Sequence, residues 1–405
     1  MFYAMRSLRP YLAALVALPV GPLPQLPLPV DVGKTVSGVA GSLDVPLTEA
    51  RKLHLRQLLR ANRRVLEADP QGAPMVRSEV LAFSPSAVAL ERAQAAGFSI
   101  ARERPLGGLD ARIVVLRSPE KVTTRRALER LRALDPEGAY DFNHIYTESG
   151  DISAAADTVN RPGNREERAL RAGMVDGGVD TAHIVFQNVT VHQHGCGEQP
   201  VPSVHGTAVA SLIAAREIYA ADIYCNRPTG GAMDDIADGI AWIAGQRVPV
   251  INVSLVGPRN LMLERIVRLA GAKGYLIVAA VGNDGPAAPP LYPASYPGVI
   301  GVTAVDLKQH VLLESCRGPQ VYFAAQGAQM NAAVSGQAYA PVRGTSFAAP
   351  IVTGLLAAKL TEPGKSAADA VLAELARTAV DLGAPGRDDV YGNGLVGGIS
   401  EGFKQ

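Results

Sequence analysis

The sequence is poor in net charge, in cysteine and in long uninterrupted apolar runs. Its 39 basic and 38 acidic residues leave a formal charge of +1. No global field therefore directs the chain to nucleic acid or to an anionic membrane, and function has to be read from a local site. There are three cysteines, Cys196, Cys225 and Cys316; an odd count leaves at least one without an intramolecular partner. Beyond the first thirty residues no apolar run is long enough to cross a bilayer. What the chain does have is apolar content, 47% against 19% charged over 405 residues. That argues against wholesale disorder and is comfortable for two domains.

The N-terminus differs from the rest. Arg6 and Arg9 precede an apolar run at 11–20, and Pro22, Pro24, Pro27 and Pro29 follow. A short apolar run behind positive charge reads as an export signal, and it is short for a spanning helix. The expected location is secreted or periplasmic, with an uncleaved membrane anchor as the alternative. The segment 1–40 is assigned to this export region.

Residues 48–68 read as a basic amphipathic helix, with Leu55, Leu58, Leu59 and Leu66 at helical spacing among six basic side chains. Either its basic face contacts an anionic surface or it is a solvated face on a packed helix. Residues 75–146 follow a β-α-β-β-α-β order, with strands at 76–83, 98–104, 111–117 and 140–146 and helices ending at Ala96 and Leu134. That order suits a small ferredoxin-like α+β domain, placed at 45–150. The polar, Gly/Pro-containing stretch 151–168 reads as a linker or processing region. From 169 to 405, apolar β-branched strands at 172–175, 219–224, 248–255, 275–281 and 298–305 alternate with helical patterns, notably 233–244 and 261–272. The alternation predicts an α/β fold, a doubly wound and mostly parallel sheet with flanking helices. Active groups in such sheets gather at the carboxyl ends of the strands.

Three places hold an acid, a base and a nucleophile in suitable settings. Asp176 leaves an apolar strand and is followed by Gly177 and Gly178; Asp180 is the competing acid beyond that turn. His205-Gly206-Thr207 opens an apolar helical pattern. Ser346 stands at the start of another, within Gly344-Thr345-Ser346-Phe347-Ala348-Ala349-Pro350, with Pro350 expected in the first turn. A serine there gains from the positive end of the helix dipole as charge develops. Singly these are a turn residue, a core histidine and an N-cap. Together, in the order Asp, His, Ser, they suggest a nucleophilic triad.

These three segments resemble the active-site signatures of the subtilisin-like serine proteases. Other stretches are similar to that family as well. The segment 251–255, ending in Ser254-Leu255, resembles the strand lining the substrate cleft, with Val256 beside it. Ala279-Ala280-Val281-Gly282-Asn283-Asp284-Gly285 resembles the segment that carries the oxyanion asparagine. Tyr292-Pro293-Ala294 looks like a turn where the family usually has a cis proline, and Tyr391-Gly392-Asn393-Gly394 is similar to its closing motif. The resemblance covers roughly 170–395, and 75–146 is similar to the inhibitory propeptide of such enzymes.

The resemblance implies a secreted serine endopeptidase made as a self-processing zymogen. Ser346 is then the nucleophile, His205 the base, Asp176 its orienting acid and Asn283 the oxyanion donor. The substrate-binding residues are Ser254, Leu255, Val256, Ala279, Ala280, Val281 and Gly282. The implied partners are polypeptide substrates and the chain's own propeptide, with no nucleic acid, and the protein is expected to be a monomer. No cofactor and no metal are assigned; calcium is left without a site, because the stretch after His205 is too short for the calcium loop of many relatives. The departures matter too. Gly177 stands where a hydroxyl residue is usual, so the hydrogen bonds of Asp176 are to be found elsewhere. Val256 replaces a usual glycine and should narrow the cleft. Asp284, at the rim, is placed to attract a basic substrate side chain.

Cys196 lies before His205 and Cys225 ends the next strand. Both flank the same helix, so they are the chosen disulfide pair, although sequence leaves three separate thiols open. His192, His194 and Cys196 alternate, which on a strand puts them on one face. A metal-dependent hydrolase built on them is a third whole-protein reading, after the protease and an inactive binding protein on the same fold.

Overall fold

The structure, a computed structural model, describes residues 47–152 and 169–399. The export segment and residues 153–168 of the expected linker lie outside the described residues.

The first part opens with helix α1 (Leu47–Ala61) and strand β1 (Leu66–Ala68). The expected helix thus ends before Leu66, which is buried in β1 rather than on a helix face. Strand β2 (Pro74–Phe83), helix α2 (Ala87–Ala95), β3 (Ser99–Leu106), β4 (Ala111–Arg117), helix α3 (Thr124–Leu134) and β5 (Ala139–Glu148) follow. Their antiparallel sheet has the order β5-β2-β4-β3. Ser86 and Thr123 cap α2 and α3 through their hydroxyls. Alternation sorts the strand side chains by face. Val80, Ala82, Val114 and Leu116 pack under α2 and α3. Leu81, Ile113 and Val115 face the other way, into a core shared with the second part.

After the short β6 (Asp151–Ile152), the second part builds β7 (Ala169–Asp176), β8 (Thr190–His194), α4 (Val204–Leu212), β9 (Ala215–Asp222), β10 (Gly231–Ala232), α5 (Met233–Gly245), β11 (Val250–Val253), β12 (Leu255–Val256), α6 (Leu261–Ala272), β13 (Leu276–Ala280), β14 (Ile300–Val305), β15 (Val321–Gln326), the hairpin β16 (Met330–Val334) and β17 (Ala338–Arg343), α7 (Thr345–Lys359) and α8 (Lys365–Thr378). Seven strands form one parallel sheet in the order β15-β14-β13-β11-β7-β9-β8. The central strands are buried on both faces, which explains their continuous apolar runs. Helices α4 and α7 cover one face with a core of their own. Helices α5 and α6 cover the other, and the first part docks onto them.

That docking is polar at its edges. Asp234, fully buried at the start of α5, receives Arg102 at 2.6 Å and Arg104 at 3.3 Å from β3. Arg102 also pairs with Glu79 at 2.8 Å, and Asn143 donates to both carboxylates. The Asp141 carboxylate accepts from the Leu261 N–H at 2.7 Å, at the positive end of α6. Asn260 caps α6 through Oδ1 and donates through Nδ2 to the Phe142 carbonyl at 2.9 Å, with His144 Nδ1 also at 2.9 Å. One buried side chain therefore both caps a helix and joins the two parts. Asn260→Ala should lower stability by about 2 kcal/mol and Tm by about 3 °C, as read by calorimetry on the Ser346→Ala chain.

Candidate active site

Asp176 ends β7 at the carboxyl edge of the sheet and is fully buried. Its Oδ1 accepts from the Gly177 N–H at 2.7 Å and lies 2.9 Å from His205 Nδ1. The second oxygen, Oδ2, has no partner among the described residues. His205 sits in the first turn of α4, capped by Ser203, whose hydroxyl accepts from the Gly206 N–H at 2.8 Å. The Ser203 N–H donates to the Gly178 carbonyl at 2.8 Å. A Cβ on Gly177 would overlap the Ser203 hydroxyl, and one on Gly206 would overlap the Gly177 carbonyl. The acid's turn and the helix of the base thus meet backbone to backbone. Gly177, unexplained by sequence, is the residue that leaves Ser203 its room. Asp180 takes no part; it accepts from the Ala182 N–H in its own turn.

Ser346 lies in the first turn of α7 and is fully buried. Its hydroxyl donates to the Ser254 carbonyl at 3.3 Å. His205 Nε2 has no hydrogen-bond partner of good geometry among the described residues. Pro350 corrects a sequence expectation, because α7 begins at Thr345 and the proline falls in its second turn. Proline there withholds the N–H that Ser346's carbonyl would accept. The Ser254 hydroxyl supplies the missing donor at 2.9 Å, held in turn by Asn252 at 2.9 Å.

Asn283 is oriented by its Oδ1, which accepts from the Thr345 N–H at 3.1 Å. Its Nδ2 then faces the site and donates to the Ser149 hydroxyl at 2.9 Å. Gly344 (φ 135°) packs against that amide, and a Cβ there would stand 2.8 Å from Nδ2. Leu255 and Val256 form β12, and Ala279, Ala280, Val281 and Gly282 run out of β13 beside it. All are buried. The Tyr292–Pro293 bond is cis.

The cleft holds part of the chain itself. Glu148 and Thr147 pair antiparallel with Leu255 and Val256, and Tyr146 and Ile145 pair with Gly231 and Ala232. The Tyr146 ring lies over Gly257, where a Cβ would overlap it, and its hydroxyl donates to the Pro258 carbonyl at 2.9 Å. The strand read from sequence as 140–146 runs on to Glu148, within the 45–150 segment assigned to the first domain. Asp151 and Ile152, expected in the linker, form β6 against β17.

Asp284 is engaged from within the molecule. Arg51 of α1 pairs with it at 3.0 Å, and burial pushes its carboxyl above the usual range against that cation. The basic helix therefore puts at least this charge on a protein partner. Cys196 and Cys225 form a disulfide with Cα atoms 5.3 Å apart. Between its two limbs, Asp222 accepts from the N–H groups of Tyr224, Cys225 and Val201. Cys316 is a buried free thiol beside Gly282, and burial pushes it up to about 12. His192 and His194 do not converge with Cys196. His192 stacks on Tyr219, His194 stacks on Trp242 and meets Asp238 at 2.8 Å, and the Cys196 sulfur is bonded to Cys225.

Fold and site together define a parallel α/β protein with an Asp-His-Ser arrangement at the carboxyl ends of its strands. The sequence matches the model of the subtilase family over residues 172–394, and the chain belongs to that family. It is 32% identical over 207 residues to the minor extracellular protease Epr of Bacillus subtilis (strain 168), covering 47% of this chain and 32% of that protein. It is 34% identical to the thermostable alkaline protease of Halalkalibacterium halodurans, over 47% of this chain and 56% of that one. It is 30% identical to subtilisin DY of Bacillus licheniformis, over 56% of this chain and 88% of that one. The matched region thus spans less than two thirds of the first two relatives. Among solved structures, the fold is similar to fervidolysin from Fervidobacterium pennivorans, with a TM-score of 0.65 at 21% identity, covering 79% of this chain and 60% of that one.

Burial works against a charge on His205, but the Asp176 carboxylate, joined by Glu148, raises it to about 9 from its ordinary 6.5. A raised value stabilises the folded form fully below pH 6.5, and that contribution is lost as pH rises through about 9. The neutral imidazole is therefore scarce at neutral pH. The reaction of the uncut chain with a fluorophosphonate should climb with a midpoint near 9, and Glu148→Gln should lower that midpoint. Gly177→Ser should slow labelling about 10²-fold by pushing α4 off Asp176. Adding Ser203→Gly should recover part of the loss, as rate measurements on both variants will show.

Proposed function

We propose that the chain is a serine endopeptidase that makes an acyl-enzyme on Ser346, produced as an exported, self-processing precursor. The observation that carries this reading is an extended strand of its own, residues 145–148, which pairs first with β10 and then with β12 and leads into Ser149, bonded to the Asn283 amide. A polypeptide substrate would take the same place by strand addition. The Ser346 hydroxyl attacks the peptide carbonyl. His205 takes its proton and later delivers it to the leaving amine. Asp176 holds the imidazole with Nδ1–H toward itself and stabilises the imidazolium. The Asn283 amide and the Ser346 N–H bind the oxyanion. Losing such an amide costs about 10²–10³ in turnover, the loss found in subtilisin itself.

Export is supported by the N-terminal pattern and by similarity to a relative named as extracellular. No helix among the described residues is long and apolar enough to cross a membrane. Residues 47–149 act as the propeptide, docked on α5 and α6 and ending in the cleft. One observation favours an inactive binding protein instead: the Ser346 hydroxyl is turned to Ser254 rather than to His205.

A serine-directed fluorophosphonate separates the two readings. The wild-type chain should be labelled at one site and should hydrolyse a generic peptide substrate. Ser346→Ala should lose both entirely, with unchanged circular dichroism. A wild-type protein that resists labelling over pH 6–10 sinks the protease reading.

A further inference from the structure

The strand 145–148 displays how a polypeptide lies against β12. Its register sets Thr147 opposite Val256 and Glu148 opposite Leu255, so the next residue, Ser149, comes level with Ser254. Side chains alternate along such a strand. Glu148 turns toward the acid and the base, with a carboxylate oxygen within 4.8 Å of atoms of both Asp176 and His205. Ser149 turns the other way. It is almost fully buried, and its hydroxyl accepts from Asn283 Nδ2 at 2.9 Å. The Ser346 hydroxyl donates to the carbonyl of Ser254 itself. A substrate residue in the place of Ser149 is therefore the one beside both nucleophile and amide, and its side chain enters between β12 and the segment 279–283.

That entrance is plugged. Gly282, the residue before Asn283, leaves its α-carbon bare, and three other side chains take up the room. A Cβ on Gly282 would stand 2.5 Å from Leu291 Cδ1, 3.3 Å from Cys316 Sγ and 3.5 Å from Val256 Cγ1. The three come from separate segments, and all are buried. Each is fixed by its own backbone. Val256 is paired within β12. Leu291 precedes Tyr292, which exchanges main-chain hydrogen bonds with Gly257 at 3.0 and 3.1 Å. The Cys316 N–H donates to the Gly282 carbonyl at 3.0 Å. The two side-chain atoms of Ser149 fit without displacing this plug. A leucine or phenylalanine would have to push it aside, and close-packed side chains resist added atoms. The cleft is not narrow throughout: three residues earlier, the ring of Tyr146 is fully buried over Gly257.

We propose that Val256, Leu291 and Cys316 make this chain selective for a small side chain (glycine, alanine or serine) at the substrate position whose carbonyl Ser346 attacks. The selectivity rests on the protease reading above. Val256 narrows the entrance from β12, while Leu291 and Cys316 close its floor.

The test uses the full-length chain and four peptides. Each copies Tyr146-Thr147-Glu148 and then carries alanine, serine, leucine or phenylalanine ahead of a p-nitroanilide leaving group. Values of kcat/KM are taken per site titrated with a fluorophosphonate. The alanine and serine peptides should exceed the phenylalanine peptide by about 10²-fold, the scale on which a hydrophobic pocket discriminates by size. Leu291→Ala and Val256→Gly should each raise the ratio of phenylalanine to alanine cleavage about tenfold. A ratio measured within one protein does not move with the fraction folded, so a merely structural role for either residue would leave it unchanged. A wild type that cleaves the phenylalanine or leucine peptide as well as the alanine one overturns the selectivity, and the protease reading stands. A ratio that neither variant shifts, in protein that takes up the fluorophosphonate, overturns the assignment to these side chains. If the wild type neither reacts with the fluorophosphonate nor cleaves any of the four, the protease reading itself fails and the selectivity falls with it.

Discussion

The site depends on one close approach, that of the Gly177–Gly178 turn to the first turn of α4. The Ser203 N–H bonds to the Gly178 carbonyl, and glycines at 177 and 206 let the two backbones come within reach of each other. That contact sets the 2.9 Å separation of Asp176 and His205, two groups on different elements and almost fully buried. A buried carboxylate is tolerated only when hydrogen-bonded. Here the Gly177 N–H and the imidazole do that work on one oxygen, so any widening of the approach would strand the charge. The disulfide and Asp222 brace the loop just ahead of α4, which guards the same distance from the other side.

The second organising constraint is that the first part of the chain is not separate from the site. Its central sheet is buried on both faces, and one face needs α5 and α6 to cover it. The strand that closes that sheet continues directly into the cleft. Strand β5 therefore belongs both to the N-terminal sheet and to the pairing with β10 and β12. Helix α1 completes the cover: Leu58 and Leu59 pack near Ile145 and Ala232, while Arg51 reaches Asp284 beside Asn283.

Much of this was legible from local pattern. Asp176, His205 and Ser346 stand in short motifs whose glycines and small residues have local reasons, and the parallel sheet shows as apolar runs between helical periods. What was not legible depends on partners far away in sequence. Thr147 and Glu148 look like the fraying end of a strand because their partners are Val256 and Leu255, over a hundred residues on. Ser203 looks like an ordinary cap until Gly177 is seen beside it. Pro350 was placed one turn too early because a helix start cannot be read to better than a few residues, and its tolerance needs Ser254 from another strand. Asp284 invited a substrate cation, and the cation it meets is Arg51.

The buried carboxylate Asp234 carries a consequence for how the two halves of the chain recognise each other. Its partners Arg102 and Arg104 belong to the other half, so parting the two would uncover an acidic patch on one and a basic patch on the other. Opposite patches guide two bodies together over several ångströms, and dissolved ions blunt that guidance. Were the two halves to part, the salinity of the surroundings would set how quickly they found each other again.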